Sequence, residues 1–437
     1  MDKVAFYTLG CKVNQYETEA MIEAFDKKGY EIVDYNSYSD IYIINTCTVT
    51  NMGERKSRQI IRRALDYNKD AFIAVVGCYA QIAPQEVSKI DGVQLVVGTD
   101  CRTKIVELVE NAIKKSEKIN VVSEIMKIDK FEEMSISQFK KRTRAFIKIQ
   151  EGCDQYCSYC IVPYARGHIR SRSKESIMKE VALLAQNGFL EIVLTGIHIG
   201  SYGMDLGNID LIDIIENIHD IKGIERIRMS SLEPKTFNNE FVRRLSKLNK
   251  ICEHFHLSMQ SGCDETLKRM NRRYTTEEFK GVVDNLRNTF SEVGITTDVI
   301  VGFPGETDEE FKKTLEFVEE IGFSAMHIFK YSPRQGTPAA NYKNQVAKVV
   351  KEERSKQIEK LAKKNEKEFI SRFQGKSFYV LFEQESKKQK DLYEGLAHNY
   401  IRVFAKSPED ISGKIQNVII KEANDNYAVG KLISDRD

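Results

Sequence analysis

Short apolar runs recur along the first part of the chain, and stretches with helical spacing lie between them. Val4–Leu9, Ile41–Ile44, Phe72–Val76 and Leu95–Val97 read as strands. Tyr16, Ala20, Met21, Ala24 and Phe25 share one face of an intervening helix, and Lys104–Ala112 reads as another helix. Asn14 with Glu17 three residues on predicts a capping-box start for the first helix. Strands alternating with helices imply a parallel sheet covered on both faces. Residues 117–143 are polar and irregular, and Lys140-Lys141-Arg142 with Arg144 marks a boundary or a phosphate contact. The alternation resumes over 145–331, with strands expected at Phe146–Ile149, Ile192–Leu194, Ile224–Met229, Phe255–Met259, Thr297–Val301 and His327–Tyr331. That length falls short of the ~250 residues of a full eight-unit barrel, so an open barrel of six βα units is expected. In His254-Phe255-His256-Leu257-Ser258-Met259-Gln260 the polar side chains alternate with apolar ones, and Arg226, Arg228 and Ser230 repeat the pattern. This predicts a polar lumen. Beyond a lysine-rich helix over 346–372, short β-rich segments (Phe378–Phe382, Leu392–Leu396, Tyr400–Phe404, Val418–Lys421, Tyr427–Ile433) suggest a small antiparallel barrel of the oligonucleotide-binding type.

Composition narrows the picture. A chain of 437 residues implies several domains. A net charge of +2 excludes attachment to nucleic acid by bulk charge but leaves room for a local basic patch. No run approaches the ~18 apolar residues of a membrane span, and the opening MDKVAFYTLG lacks an export-type apolar core. The nine cysteines are odd in number, which argues against a disulfide framework and for metal ligation, catalysis or packing.

Cys11, Cys47 and Cys78 each follow the end of an apolar strand. In an open parallel sheet those ends form one ligand-binding edge, so the three can converge; the plainer reading is three small buried hydrophobes. Cys153, Cys157 and Cys160 lie together directly after the first barrel strand, with His168 the nearest other ligand type. Three thiolates suit an iron–sulfur cluster with one iron left open, whereas structural zinc requires four protein ligands. Cys101, Cys252 and Cys263 are expected to be structural. Arg166, Arg170 and Arg172 are candidates for phosphate contact, and Glu233 and Gln260 for contact with a cofactor or base. Tyr393 and Tyr400 are aromatic candidates for RNA contact in the last barrel.

The spacing of Cys153, Cys157 and Cys160 on a barrel resembles the radical S-adenosylmethionine (radical SAM) superfamily. The resemblance implies a 4Fe–4S cluster whose open iron binds SAM, which is cleaved to a 5′-deoxyadenosyl radical. Leu194-Thr195-Gly196 resembles the segment contacting the SAM methionine end, and Val299-Ile300-Val301-Gly302-Phe303-Pro304-Gly305-Glu306 the strand packing on its adenine. The three-domain layout is similar to the methylthiotransferase family. It implies an α/β domain over 1–116 whose Cys11, Cys47 and Cys78 hold a second 4Fe–4S cluster, a radical SAM core over 139–369, and a tRNA-binding TRAM domain over 372–437. Tyr393-Glu394-Gly395 and Asn399-Tyr400 resemble TRAM motif positions. Gly10-Cys11-Lys12-Val13-Asn14-Gln15-Tyr16-Glu17-Thr18 and Gly196-Ile197-His198-Ile199-Gly200-Ser201-Tyr202-Gly203 resemble the branch acting on N6-threonylcarbamoyladenosine at tRNA position 37. Sister branches act on isopentenyladenosine or on a ribosomal-protein aspartate. The resemblance further implies two clusters and SAM as cofactors, tRNA and an electron donor such as flavodoxin or ferredoxin as partners, and a cytoplasmic location without membrane attachment. An iron–sulfur electron carrier with an RNA-binding tail and a zinc-stabilised RNA-binding protein are the contrasting readings.

Overall fold

The computed structural model describes residues 2–48, 51–115, 117–137, 143–387 and 389–433. Lys140-Lys141-Arg142 therefore lies outside the described residues.

The expected N-terminal strands form one parallel sheet of six, ordered Glu31–Val33, Lys3–Thr8, Ile41–Thr46, Phe72–Gly77, Val93–Val97 and Ile119–Val121. Ile41–Thr46 and Phe72–Gly77 are buried at every position, as near-continuous apolar runs should be in the middle of a covered parallel sheet. The two edge strands went unread because each has three residues and is half exposed. Ile119–Val121 carries the sheet past residue 116, into a stretch expected to be irregular.

The first helix runs Lys12–Lys27, three residues earlier than the capping-box reading required, and Cys11 occupies the cap position without a side-chain cap bond. Asn14 instead lies inside the helix, and its Nδ2 donates to the carbonyls of Leu9 at 2.8 Å and Thr46 at 3.0 Å. Its amide is spent on tertiary bonds, so Asn14 and Glu17 form no cap.

The central unit holds six parallel strands, Arg144–Glu151, Glu191–Gly196, Arg226–Met229, His254–Gln260, Gly294–Val301 and Ala325–Lys330, joined through bridges at Ile227–Ile251 and Leu232–Leu257. It is an open barrel: among the described residues no pairing joins the first strand to the last. Alternate residues divide by chemistry. Ile147, Leu194, Phe255 and Leu257 enter a core that also contains Val4, Tyr16 and Ile43, so the first sheet and the barrel share one apolar interior. The intervening positions Lys148, Gln150, Glu191, Arg228, His254 and His256 are buried polar residues on the other face.

The helix Lys348–Ser371 leads to a closed five-stranded barrel, Ser377–Glu385, Leu392–Ala397, Arg402–Lys406, Ala428–Leu432 and Ile415–Ala423, with its own core around Phe378, Val380, Val403 and Val418. Its closure is parallel, Arg402–Lys406 against Ala428–Leu432, while its other pairings are antiparallel. It joins the central barrel through main-chain carbonyls. Arg226 donates to Leu396 O at 2.9 Å and to Tyr379 O, and Arg228 to His398 O at 3.2 Å and Ala397 O at 3.3 Å.

Candidate metal centres

The first triad is built by two strand-to-helix turns that only glycine fits. Gly10 has φ +105°, and a Cβ there would stand 2.9 Å from Cys47 Cβ and 3.1 Å from its Sγ. Gly77 has φ +94°, and a Cβ there would lie 2.3 Å from Asn45 Oδ1. Without side chains, both residues let the chain turn sharply and deliver the next residue, Cys11 or Cys78, to the sheet edge. Cys11 is exposed, Cys47 half-buried and Cys78 buried. Burial pushes the Cys78 thiol up to about 12; Arg166 opposes this, while Cys47 and Cys11 add to it.

The second triad occupies the loop after Arg144–Glu151, whose Tyr156 takes φ +47°. Ser158 N bonds Met270 O at 3.0 Å and Asn271 Nδ2 bonds Tyr156 O at 2.9 Å, tying the loop to the segment after the fourth strand. Burial pushes Cys160 up to about 12 and Cys153 up to about 11, with Cys157 adding to both.

Each triad has an arginine aimed at sulfur. Arg166 Nε donates to Cys78 Sγ at 3.2 Å, and Arg272 Nη1 to Cys157 Sγ at 3.4 Å. Neutral thiols in an apolar pocket need no cation, whereas thiolates ligating a cluster do. The donor sets therefore fit iron–sulfur clusters. Arg166 closes the helix Val162–Arg166, which starts just after Cys160. The short helix that follows the second triad thus ends on a sulfur of the first.

Arg166, Arg170 and Arg172 are not phosphate contacts: they are 0%, 3% and 1% exposed. Arg166 Nη1 pairs with Glu17 and Glu151 at 2.5 Å each, and Nη2 donates to Asn14 Oδ1 at 2.7 Å. Arg102 and Lys148 complete the cluster by pairing with the same two glutamates. Arg172 pairs with Glu180, which also accepts from Tyr16 Oη at 3.1 Å. Arg170 donates to the Arg166 carbonyl at 2.6 Å. Two of the charges expected to face RNA instead tie the first domain to the barrel, Arg166 through Glu17 and Asn14 and Arg172 through Tyr16 Oη at 3.4 Å.

Of the residues expected to hold cofactor, Glu233 reaches the second triad through Arg272, at 2.8 Å. Thr195 is buried at the end of the second strand. Gly196 packs on Gln150, whose Oε1 accepts from His198 N at 2.7 Å. Gln260 ends the fourth strand in the left-handed region, φ +69°, after a register break. Gly302 turns elsewhere: a Cβ there would meet Lys351 Cγ at 2.3 Å, so the helix Lys348–Ser371 explains that glycine without a ligand. Its neighbour Phe303 packs on Tyr159 of the triad loop, ring centroids 6.4 Å apart. His198, within the Gly196–Gly203 motif, has both ring nitrogens buried without a hydrogen-bond partner among the described residues. Burial lowers its pKa, with Glu233 opposing and Arg272 reinforcing. Cys101 and Cys263 donate to Asp100 and Glu265, and Cys252 is buried near Arg228.

On the lumen wall, His254 Nε2 and His256 Nδ1 each lie 3.0 Å from Thr296 Oγ1, and His256 Nε2 lies 3.2 Å from Asp298. Tyr400 enters from the last barrel at φ +73°, stacked on His254 with centroids 4.3 Å apart and 4.9 Å from the Arg228 guanidinium. Outside the lumen, the helix Asn51–Tyr67 exposes Arg55, Lys56, Arg62 and Arg63, a local basic face that the overall charge concealed.

An open parallel barrel with a cysteine triad after its first strand defines a radical SAM enzyme, and the model of the radical SAM superfamily matches residues 147–318. The model of uncharacterized protein family UPF0004 matches residues 3–98. The chain is 43% identical to threonylcarbamoyladenosine tRNA methylthiotransferase MtaB of Bacillus subtilis (strain 168), over 99% of this chain and 97% of that protein. It is 40% identical to the protein of the same name from Aquifex aeolicus (strain VF5), over 96% and 100%. Among solved structures it resembles the radical SAM methyltransferase TsrM of Kitasatospora setae, with TM-score 0.58 and 16% identity over 78% of this chain and 77% of that one, a likeness of fold alone. The chain belongs to the MtaB-type radical SAM tRNA methylthiotransferases. Membership brings SAM and iron–sulfur clusters as cofactors. No helix among the described residues is long and apolar enough to cross a membrane.

Proposed function

We propose that this enzyme methylthiolates C2 of N6-threonylcarbamoyladenosine at position 37 of tRNA, using SAM both as methyl donor and as radical source. The observation that carries the reading is the Arg166 bond to Cys78 Sγ, 3.2 Å, made from the helix that leaves the second triad. A base placed between the triads touches a sulfur-bearing site on one side and a radical-generating site on the other. The names of the relatives support the threonylcarbamoyl substrate.

In this reading Cys11, Cys47 and Cys78 hold one 4Fe–4S cluster, and Cys153, Cys157 and Cys160 hold the other. When bound, these groups with SAM supply the sulfur and the one-electron chemistry that side chains lack. C2–H of adenine is too weakly acidic for a general base, so a radical step is required. The protein's own part is to position and shield. Arg166 and Arg272 offset negative charge on the ligating sulfurs. His198 and Glu233 offer polar atoms beside the second triad. The exposed arginines of Asn51–Tyr67 and the C-terminal barrel meet RNA phosphate and bases. A flavodoxin- or ferredoxin-type donor supplies electrons, and the enzyme works in the cytoplasm with its tRNA.

Anaerobically reconstituted protein with SAM, a reductant and sulfide is offered tRNA carrying threonylcarbamoyladenosine or, separately, isopentenyladenosine, and nucleosides are read by mass spectrometry. Methylthio product is expected from the first tRNA alone, with Cys11→Ser and Cys153→Ser both inactive. Product from the second tRNA alone moves the enzyme to the sister branch. Full methylthiolation by Cys11→Ser sinks the two-cluster reading.

A further inference from the structure

Three neighbouring strands of the central barrel each carry a metal-ligating residue type on the lumen face. Asp298 on Gly294–Val301 is the register partner of His327 on Ala325–Lys330, so both side chains leave the same side of the sheet. His256 on His254–Gln260 pairs in register with Thr296, two residues before Asp298 and on that same side. One ligand atom from each of His256, Asp298 and His327 lies within 4.8 Å of the other two. The two imidazole rings have their centroids 5.9 Å apart. All three residues stand inside their strands, set back from the carboxyl ends beyond which Cys153, Cys157 and Cys160 lie.

His256 is 9% exposed, and its Nδ1 lies 3.0 Å from Thr296 Oγ1. Its Nε2 lies 3.2 Å from an Asp298 carboxylate oxygen, yet it is buried without a hydrogen-bond partner among the described residues. The distance suits a hydrogen bond, so the direction is what fails: ring nitrogen and carboxylate stand side by side and do not point at each other. Two ligands of one metal ion stand in that way. With ligand bonds of about 2.0–2.1 Å, tetrahedral geometry puts ligand atoms about 3.3–3.4 Å apart. His256 and Asp298 already have nearly that spacing, and His327 is exposed, with room to turn its ring inward. In the tautomer whose Nδ1–H donates to Thr296, the Nε2 lone pair of His256 faces outward from that bond, and Thr296 is the outer hydrogen-bond partner that ligating histidines use. An entry path is present: Thr296 and His327, with Glu366 and Tyr400, line a cavity of about 320 Å³ between the central and C-terminal barrels. We propose that His256, Asp298 and His327 bind a first-row divalent cation, with Zn2+ as the reference ion, at a site separate from both cysteine triads. Two imidazoles and one carboxylate suit that class of ion, whereas Mg2+ and Ca2+ take oxygen ligands. The bound ion ties together the last three strands of the open barrel. Such a site holds whichever tRNA base the enzyme modifies.

Holoenzyme with both clusters reconstituted anaerobically is equilibrated with equimolar Zn2+, freed of loose metal by gel filtration, and read by metal analysis and zinc K-edge X-ray absorption. A single zinc per chain is expected, with nitrogen and oxygen neighbours at about 2.0–2.2 Å and no sulfur at about 2.3 Å. Asp298→Asn and His327→Ala are expected to weaken zinc binding by more than roughly 100-fold, and Thr296→Val, which removes only the outer partner, by roughly 10- to 100-fold. Iron per chain should match wild type in all three. Zn2+ should raise the melting temperature of wild type and leave that of Asp298→Asn and His327→Ala unmoved. Zinc bound through sulfur, or zinc retained equally by Asp298→Asn and His327→Ala, overturns the site. A wild type that retains no zinc overturns it too and leaves His256 and Asp298 as an ordinary ion pair. The wild-type spectrum decides the ligand set even where a variant folds poorly.

Discussion

At the scale of single residues, a side chain that carries its own chemistry stands out in a sequence, as do the six cysteines in two groups, whose thiols the fold leaves unbridged. Meaning is hidden where it depends on a distant partner. Arg166 looks like a phosphate ligand until Glu17, Glu151 and Asn14 are seen around it. His198 carries no signal beyond its motif, since bare nitrogens are a property of the fold. Replacing Arg166 tests the buried assignment. Arg166→Met strips two buried carboxylates of a partner and Cys78 of its N–H donor. We expect a loss of about 3–5 kcal/mol in denaturant unfolding and fewer iron atoms per chain. A loose surface arginine would cost under ~0.5 kcal/mol and leave iron unchanged.

At the scale of elements, strands were legible because buried parallel strands are nearly all apolar, and period two showed in His254–Gln260. The half-exposed edge strands lack both signals. The first helix shows why a local pattern can mislead: Asn14 and Glu17 have the right types and spacing for a cap, yet the Asn14 amide is bonded to two carbonyls outside the helix. The glycine before Cys78 offers a test of how the element delivers the ligand. Gly77→Ala meets both a left-handed φ and an obstructing Asn45, whereas Gly188→Ala, at φ +85°, meets open space. Both should pay ~1–2 kcal/mol for the backbone. Only Gly77→Ala should also lose the iron held at the first triad, read as iron per chain with the Cys153 triad intact.

At the scale of the whole molecule, the domain order was visible but the joints were not. They consist of ion pairs between residues over a hundred positions apart and of bonds to carbonyls, which every sequence possesses. The joint between the first domain and the barrel has a pH signature. Burial pushes the Glu17 carboxyl up, but Arg102, Arg166 and Lys148 outweigh it and hold it at about 2, below the ordinary 4.5. Glu151 is depressed likewise against its burial, chiefly by Lys148 and Arg166. A depressed carboxylate contributes stability that is fully present above the unfolded pKa and lost as pH falls through the folded one. The joint should hold unchanged from neutral pH down to about 4.5 and weaken from there toward 2, by on the order of 3 kcal/mol for Glu17. Thermal melts across that window check it. A Glu17→Gln protein should show a flatter acid limb, and an identical limb would refute the assignment.

The other joint has a different consequence. Arg226 and Arg228 grip the C-terminal barrel by the carbonyl oxygens of Leu396, Tyr379, His398 and Ala397, and among its side chains the joint uses Tyr400 and Glu383. The part of a clasp that holds peptide groups is blind to the letters written on them. The outer face of that barrel can therefore be rewritten, one substitution at a time, to suit a new RNA contour, while the hinge it hangs from keeps the same grip.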